Sequence, residues 1–401
     1  MQKIKTNFPM LPELEPLFER LDHKLYLVGG SVRNFMAGLP LTDLDMATPL
    51  TPDDVMARLN GLPIKIVPTG IKHGTITLVL ASKIAIELTT FRSDVQTDGR
   101  HATVQFQTDM MQDAQRRDFT VNALYIDSLG YLYDPVHAMK DLKRRRIRFI
   151  GDPSQRIAED ALRIIRYFRF YGAFERDKKP DKAAFNACRH NRALLCRVSI
   201  ERIYDEMLKI LRQENPHPAL KRMHQAGVLR QILGVKPNLK RLKHLLVAEK
   251  KTGSSPSEQL RLWALCDGEL PNFKMSNHVK NEWRTLALAL THAKKSNNDL
   301  RAIGYLFGRK AMLQVVLLTR KRLSFPAYVF FERLDIPTPP FTSQDVQEYF
   351  NASSVQLGLL IKQCTKQWID LSFPDKKDVV YFHNVRKNNK IRRCKNEHHN
   401  T

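Results

Sequence analysis

Two carboxylates one residue apart, Asp43 and Asp45, follow soon after the run Leu27-Val28-Gly29-Gly30-Ser31-Val32-Arg33. On an extended strand, residues i and i+2 point to the same side. Both carboxylates can then aim at one place, as a pair of oxygen-ligated magnesium ions requires. Gly29 and Gly30 let the backbone approach a polyphosphate, and a helix starting near Ser31 offers unpaired N–H groups to it. A phosphate cradle beside a metal-binding acid pair is the local chemistry of nucleotidyl transfer. Either half alone is commonplace, a tight turn or a solvated loop; their order and spacing carry the reading.

A second group is Arg116-Arg117-Asp118-Phe119-Thr120-Val121-Asn122-Ala123-Leu124. Arginine suits bidentate phosphate contacts, while Asp118 and Asn122 suit ribose hydroxyls. Alone, a local ion pair with a capping asparagine accounts for it better. The third group runs from Glu159 to Phe170 and is expected to lie on one helix, Ile157–Phe170. There Asp160, Arg163 and Arg166 step by three residues along one face, with Leu162, Ile165 and Phe168 packed behind. One acceptor and a row of fork-shaped donors suit the edge of cytosine or adenine, which carries an amino donor beside a ring-nitrogen acceptor. A surface helix laced with ion pairs is the plain alternative.

The elements that must position these groups change character along the chain. Leu25–Val28, Ile64–Val67, Thr75–Leu80, Ile84–Thr89, Thr103–Phe106 and Ala123–Ile126 read as short strands, separated by turn signals such as Asp98-Gly99 and Leu129-Gly130. From Gly151 onward helical apolar spacing dominates, as in Ile200–Leu211. The expected class is α+β, a mixed-sheet head followed by helices. At 401 residues the chain exceeds a single core. The boundaries expected are a head over 1–150, then helical segments over 151–215, 216–335 and 336–401, the last ending in a basic, apolar-poor stretch.

A formal net charge of +24 predicts a polyanionic partner, most simply a nucleic acid held through its phosphates. The excess is spread over Lys143-Arg144-Arg145-Arg146, Lys240-Arg241, Lys250-Lys251, Arg320-Lys321-Arg322 and the tail from Arg386 to Lys395. The five cysteines are scattered without paired spacing, which argues against a disulfide framework and a zinc site. No run approaches the roughly 18 apolar residues of a membrane span, and Met1–Thr6 lacks the apolar core of a secretory signal. A cytoplasmic location is expected, with no membrane partner and no obligatory protein partner.

Taken in order, the three groups resemble motifs of the bacterial class II tRNA nucleotidyltransferase and poly(A) polymerase family. Asp98-Gly99-Arg100-His101-Ala102 resembles the loop between the first and second motifs. Asp134-Pro135 to Asp141-Leu142 resembles the hinge motif, and Arg192 to Ile203 the helical motif after the base-reading helix. The likeness is dense from Tyr26 to Leu211. It implies a polymerase-β-like nucleotidyltransferase head followed by helical neck, body and tail. It also implies two Mg2+ ions, CTP and ATP as substrates, and the tRNA acceptor arm as partner. By position, Asp43 and Asp45 would hold the metals, and Glu87 resembles the third acid. Gly29, Gly30, Arg33 and Arg117 would contact the triphosphate, with Asp118 and Asn122 nearby. Asp160, Arg163, Arg166 and Arg169 match the protein template for the incoming base, and Arg100 the flexible loop that serves the change from C to A addition. Two departures stand out: Asn34 replaces the usual aspartate after the motif arginine, and Ala138 a usual glycine. The activity expected is CCA addition to tRNA 3′ ends. A poly(A) polymerase, an A-adding or CC-adding specialist, and a non-catalytic RNA-binding protein remain as alternatives.

Overall fold

The computed structural model describes residues 4–41, 44–68, 70–97, 102–175, 179–297, 299–320 and 322–374, with Phe382 and Val385. Asp43, Arg100 and the basic tail from Arg386, each singled out above, lie outside the described residues. The chain forms two compact units, Met1–Leu246 with Pro256–Met275, and Val247–Ser255 with Ser276–Thr401.

In the first unit, the strands β1 (Ile4–Lys5), β2 (Tyr26–Val28), β3 (Leu44–Thr48), β4 (Lys65–Val67), β5 (Thr75–Val79), β6 (Ala85–Thr90), β9 (Tyr125–Ile126) and β10 (Tyr131–Tyr133) make one sheet. Its order is β1-β10-β9-β2-β3-β6-β5-β4, and β7 (Arg92–Thr97) pairs separately with β8 (Ala102–Phe106). Neighbours run antiparallel except β3 and β6, which are parallel and set Asp45 directly beside Glu87. The alternation within β6 decides which way Glu87 points. Ile86 and Leu88 are buried, so Glu87 between them faces out. The six strand runs expected from the sequence all form, and β1, β3, β7 and β10 are added to them. A short run such as β10 shows too little alternation to read from sequence.

The helices of this unit are α1 (Glu15–Arg20), α2 (Gly30–Met36), α3 (Pro52–Leu59), α4 (Met110–Arg116), α5 (Ala138–Lys143), α6 (Pro153–Glu159), α7 (Arg163–Phe174), α8 (Lys182–His190), α9 (Ile200–Leu211), α10 (His217–Gln225) and α11 (Val228–Leu233), with α13 (Glu258–Leu265) after α12 (Leu239–Thr252), in which the two units divide. The start of α2 and the span of α9 match expectation. The helix expected over Ile157–Phe170 does not form as one piece. Asp160 ends α6 in an extended conformation, φ −149° and ψ 104°, and its Oδ1 accepts the Leu162 N–H at 3.1 Å. That local bond offers the backbone an alternative to the helical ladder, so a new helix begins at Arg163. Asp160 is therefore not one turn before Arg163 on a shared helix face.

Helix α7 buries Ile164, Ile165, Tyr167, Phe168, Phe170, Tyr171 and Phe174. Each such side chain contributes roughly 2 kcal/mol when buried, and the remaining surface of the helix carries Arg166 and Arg169. Gly172 lets α10 approach: a β-carbon there would meet the Ala219 β-carbon at 2.8 Å. Buried Arg261 on α13 donates to the Leu211 and Gln213 carbonyls at 2.6 and 2.7 Å, closing the C-terminal end of α9.

The second unit contains α14 (Asn277–Lys295), α15 (Leu300–Thr319), α16 (Phe325–Glu332), α17 (Ser343–Phe350) and α18 (Ser354–Asp370). Its core gathers Ala302, Phe341, Val346, Cys364, Trp368 and Phe373. By length and mean hydropathy α15 resembles a membrane span, but half of that window is buried in the fold. Gly308, at φ 85° and ψ 157°, also breaks it in two. It is a pair of core helices.

Candidate active site

The turn from β2 into α2 is made by Gly29 at φ +68°, a left-handed conformation that favours glycine. A β-carbon at Gly29 would lie 3.3 Å from Asp45 Oδ2 and 3.8 Å from Arg117 Nη1. The turn, an acid of β3 and a guanidinium from the end of α4 thus converge. Gly30 N–H points to Asp45 Oδ2 at 3.4 Å, and the Ser31 hydroxyl donates to the Val28 carbonyl at 2.9 Å. Across the parallel pair, Glu87 faces Asp45. Partial desolvation and the Asp45 charge raise the Glu87 carboxyl, with Arg92 opposing. Two like charges held side by side on adjacent strands are a donor set suited to a hard divalent cation.

Arg117 is fixed from behind. Its Nε and Nη2 donate to Asp113 Oδ2 at 3.1 and 2.9 Å, and Nε also reaches the Tyr125 hydroxyl at 3.0 Å. The Tyr125 hydroxyl donates to Asp113 at 2.7 Å, and Arg116 pairs with the other oxygen at 2.6 Å. Burial pushes the Asp113 carboxyl up, but Arg117 and Arg116 outweigh it and hold it at about 2. With Nε and Nη2 committed, Nη1 is the edge of Arg117 that remains near the glycine turn. The sequence reading missed Asp113, although its spacing of three and four residues from the two arginines on a helix is a usable signal.

A second chain of contacts leads from the sheet to α7. Arg33 Nη1 donates to Asn122 Oδ1 at 2.6 Å, and Asn122 Nδ2 to Asp118 Oδ1 at 2.8 Å. Asp118 Oδ2 accepts Nε and Nη2 of Arg166 at 2.8 and 2.5 Å. Burial raises the Asp118 carboxyl, while Arg166 and Asn122 lower it further, to about 2. Oδ1 also accepts the Phe119 N–H at 2.8 Å, so the carboxylate is saturated by protein donors. Three guanidiniums crowd the Phe170 ring: Arg33 at 4.8 Å, Arg166 at 5.7 Å and Arg169 at 4.3 Å. Burial and the charges of Arg169 and Arg166 bring Arg33 down to about 10. Such crowding of cations favours an incoming anion.

Buried Glu206 on α9 partly offsets the crowd, pairing with Arg169 at 2.8 Å and lying 4.0 Å from Arg166. No signal in the sequence links Glu206 to α7, because their contact is purely tertiary. Asp160 and Arg163 have different partners. Arg202 on α9 donates to Asp160 Oδ2 at 2.9 Å, and Arg163 donates to Glu159 at 2.7 Å and to the Arg156 carbonyl at 2.8 Å. Arg156 in turn donates to the Arg117 carbonyl at 2.8 Å. The break between α6 and α7 is therefore tied directly to the segment that carries Arg117.

Both departures are accommodated. Asn34 Oδ1 accepts Arg33 Nε and Nη2 at 3.2 and 3.0 Å, so hydrogen bonds to a neutral amide stand where the usual aspartate would make an ion pair. Ala138 opens α5 as an ordinary helical residue, and its N–H donates to Asp134 at 2.6 Å. The left-handed backbone falls instead on His137, at φ +59°.

Fold and site together define a nucleotidyltransferase, with a mixed-sheet head joined to helices. Residues 25–148 match the Poly A polymerase head domain, and residues 179–242 the probable RNA and SrmB-binding site of polymerase A. The mitochondrial CCA tRNA nucleotidyltransferase 1 of Mus musculus is 30% identical over 385 residues, covering 92% of this chain and 88% of that protein. The CCA-adding enzyme of Streptococcus pyogenes is 36% identical over 244 residues, 60% of this chain and 59% of its own. The crystal structure of the Bacillus stearothermophilus CCA-adding enzyme in complex with CTP shares the fold, with a TM-score of 0.72 at 24% identity over 96% of this chain and all of that one. The chain belongs to the CCA tRNA nucleotidyltransferase and poly(A) polymerase family.

Proposed function

We propose that this protein is a template-independent RNA nucleotidyltransferase that completes tRNA 3′ ends with CCA from CTP and ATP. The observation that carries the reading is the convergence of Asp45, Gly29 and Arg117 at one turn. Relatives named as CCA-adding enzymes, and a fold shared with such enzymes bound to CTP and to tRNA, support the choice of substrate.

The attacking group is the tRNA 3′-hydroxyl and the electrophile the α-phosphate of CTP or ATP, with pyrophosphate leaving in line. Asp43 and Asp45 would hold Mg2+, with Glu87 as the third acid beside them; when bound, the metal would neutralise phosphate charge and lower the pKa of the hydroxyl. Backbone N–H groups of the Gly29–Gly30 turn, Nη1 of Arg117 and the guanidinium of Arg33 bind the triphosphate. Their pre-set positions supply orientation and charge stabilisation. Asp118 and Asn122 act through Arg166 and Arg33, holding them toward the nucleotide. Asp160 and Arg163 read the base edge, with Arg166 and Arg169 as the continuation of that surface. Arg100 serves the loop that accompanies the change from C to A. Head, neck, body and tail over 1–150, 151–215, 216–335 and 336–401 is the division of labour we assign. The basic helical part would grip the acceptor arm by shape and phosphates.

The deciding experiment supplies labelled CTP and ATP to tRNA transcripts ending at the discriminator base, at C or at CC, and sizes the products. Addition that stops after CCA is expected. Long A-only ladders, indifferent to tRNA shape, would make the protein a poly(A) polymerase. No incorporation with tight RNA binding would leave it a binding protein.

A further inference from the structure

The run Lys143-Arg144-Arg145-Arg146 has no part in the site above. It closes α5 through a turn in which the Arg145 N–H donates to the Leu142 carbonyl and the Arg146 N–H to the Asp141 carbonyl, both at 2.9 Å. This pairing ends a helix through one left-handed residue, and that residue is Arg145, at φ +51°. Glycine is the usual occupant, because a β-carbon is strained there. A cation near a helix C-terminus is favoured by the helix dipole, but Lys143 and Arg144 already meet that need.

A cavity opens beside the turn, lined by Arg144, Arg145, Arg146, Glu175 and Lys179. Glu175 is buried, and its Oε1 is engaged by the Ile147 N–H at 2.5 Å. Arg145, Arg146 and Lys179 therefore share the cavity with one carboxylate that the backbone already engages. Among the described residues, no carboxylate pairs with Arg145, Arg146 or Lys179. Uncompensated charge in a concave site, on a backbone strained to present it, calls for a ligand.

We propose that the Arg144–Arg146 turn and Lys179 form a second anion site, which takes a phosphodiester of the RNA backbone away from the nucleotide site. Arginine forks match phosphate oxygens, and contacts of this kind set the register of an RNA without reading its sequence. The inference rests on the reading of tRNA as substrate.

The test uses the full chain carrying Arg145→Gly and Lys179→Ala. Arg145→Gly puts the residue that the backbone prefers at the left-handed position, so Tm should hold or rise. The affinity for tRNA should weaken about three- to tenfold at low salt, and the slope of log affinity against log salt should lose about one unit per contact removed. KM for CTP at saturating tRNA should not move. If Tm falls, Arg146→Gln alone provides the same slope measurement. An unchanged slope and affinity in either variant would overturn the proposal. Weaker inhibition by added pyrophosphate with an untouched tRNA slope would overturn it too, assigning the cavity to a free anion. Because the slopes are measured without catalysis, a wild-type chain that adds no nucleotide would count against the functional reading alone.

Discussion

Asp118 holds Arg166 through two hydrogen bonds, at 2.8 and 2.5 Å, tying the segment before β9 to α7. Asp113 does the same for Arg117 within the head. Both carboxyls sit at about 2 in the folded chain, against an ordinary value near 4 when unfolded. Their stabilisation is therefore complete above about pH 5 and is lost as pH falls toward 2. Each contributes on the order of 2 kcal/mol, discounted for Asp118 because the Arg166 side chain is 32% exposed. Asp118→Asn should cost about 1–3 kcal/mol at pH 7 and flatten the acid limb. Urea unfolding at pH 3, 5 and 7 reads both effects; an acid limb equal to that of the wild type would refute the account.

The two glycines of the turn should differ. Gly29 has φ +68° and would drive a β-carbon to 3.3 Å from Asp45 Oδ2, whereas Gly30 has an ordinary helical backbone with contacts at 3.5 and 3.6 Å. Gly29→Ala should cost about 1 kcal/mol of stability and at least tenfold in nucleotide incorporation, because it displaces an acid of the site. Gly30→Ala should lose less than half of that effect on a logarithmic scale. Single-turnover incorporation by the two variants, compared with their Tm values, separates them. Equal defects would show that the positive φ is not what matters.

Asp45 and Glu87 face each other across β3 and β6 but are not equivalent. Asp45 lies against the glycine turn, while Glu87 is more exposed and is opposed by Arg92. Asp45→Ala should abolish incorporation and leave tRNA binding within about twofold. Glu87→Gln should reduce the rate by about ten- to a hundredfold. Loss of tRNA binding in Asp45→Ala with turnover intact would remove Asp45 from the chemistry.

Base choice should depend on Arg202, which the sequence reading placed only within a helical motif. It holds Asp160 Oδ2 at 2.9 Å, while the Leu162 N–H holds Oδ1. Arg202→Ala frees the carboxylate to rotate, so discrimination of CTP and ATP against UTP and GTP should fall by about tenfold while tRNA affinity changes little. Arg202→Lys should restore part of it. Competition assays with all four nucleotides measure this, and unchanged selectivity in Arg202→Ala would exclude the positioning role.

The sequence by itself determined the local chemistry of the head. The Gly29–Gly30 turn and the paired arginines are set by neighbours a few residues away, and β-strand alternation around Glu87 is a local pattern too. Composition alone announced a polyanionic partner. Tertiary structure decided the rest. The parallel pairing of β3 and β6 brings Glu87 to Asp45, and no local signal specifies which strands become neighbours. Helical spacing suggested one continuous face from Asp160 to Arg166, but the Asp160 carboxylate accepts the Leu162 N–H and the helix ends there. Glu206 and Arg202 reach the arginines and Asp160 from α9. Their roles depend on how two helices pack, and packing is a property of the folded chain rather than of any stretch within it.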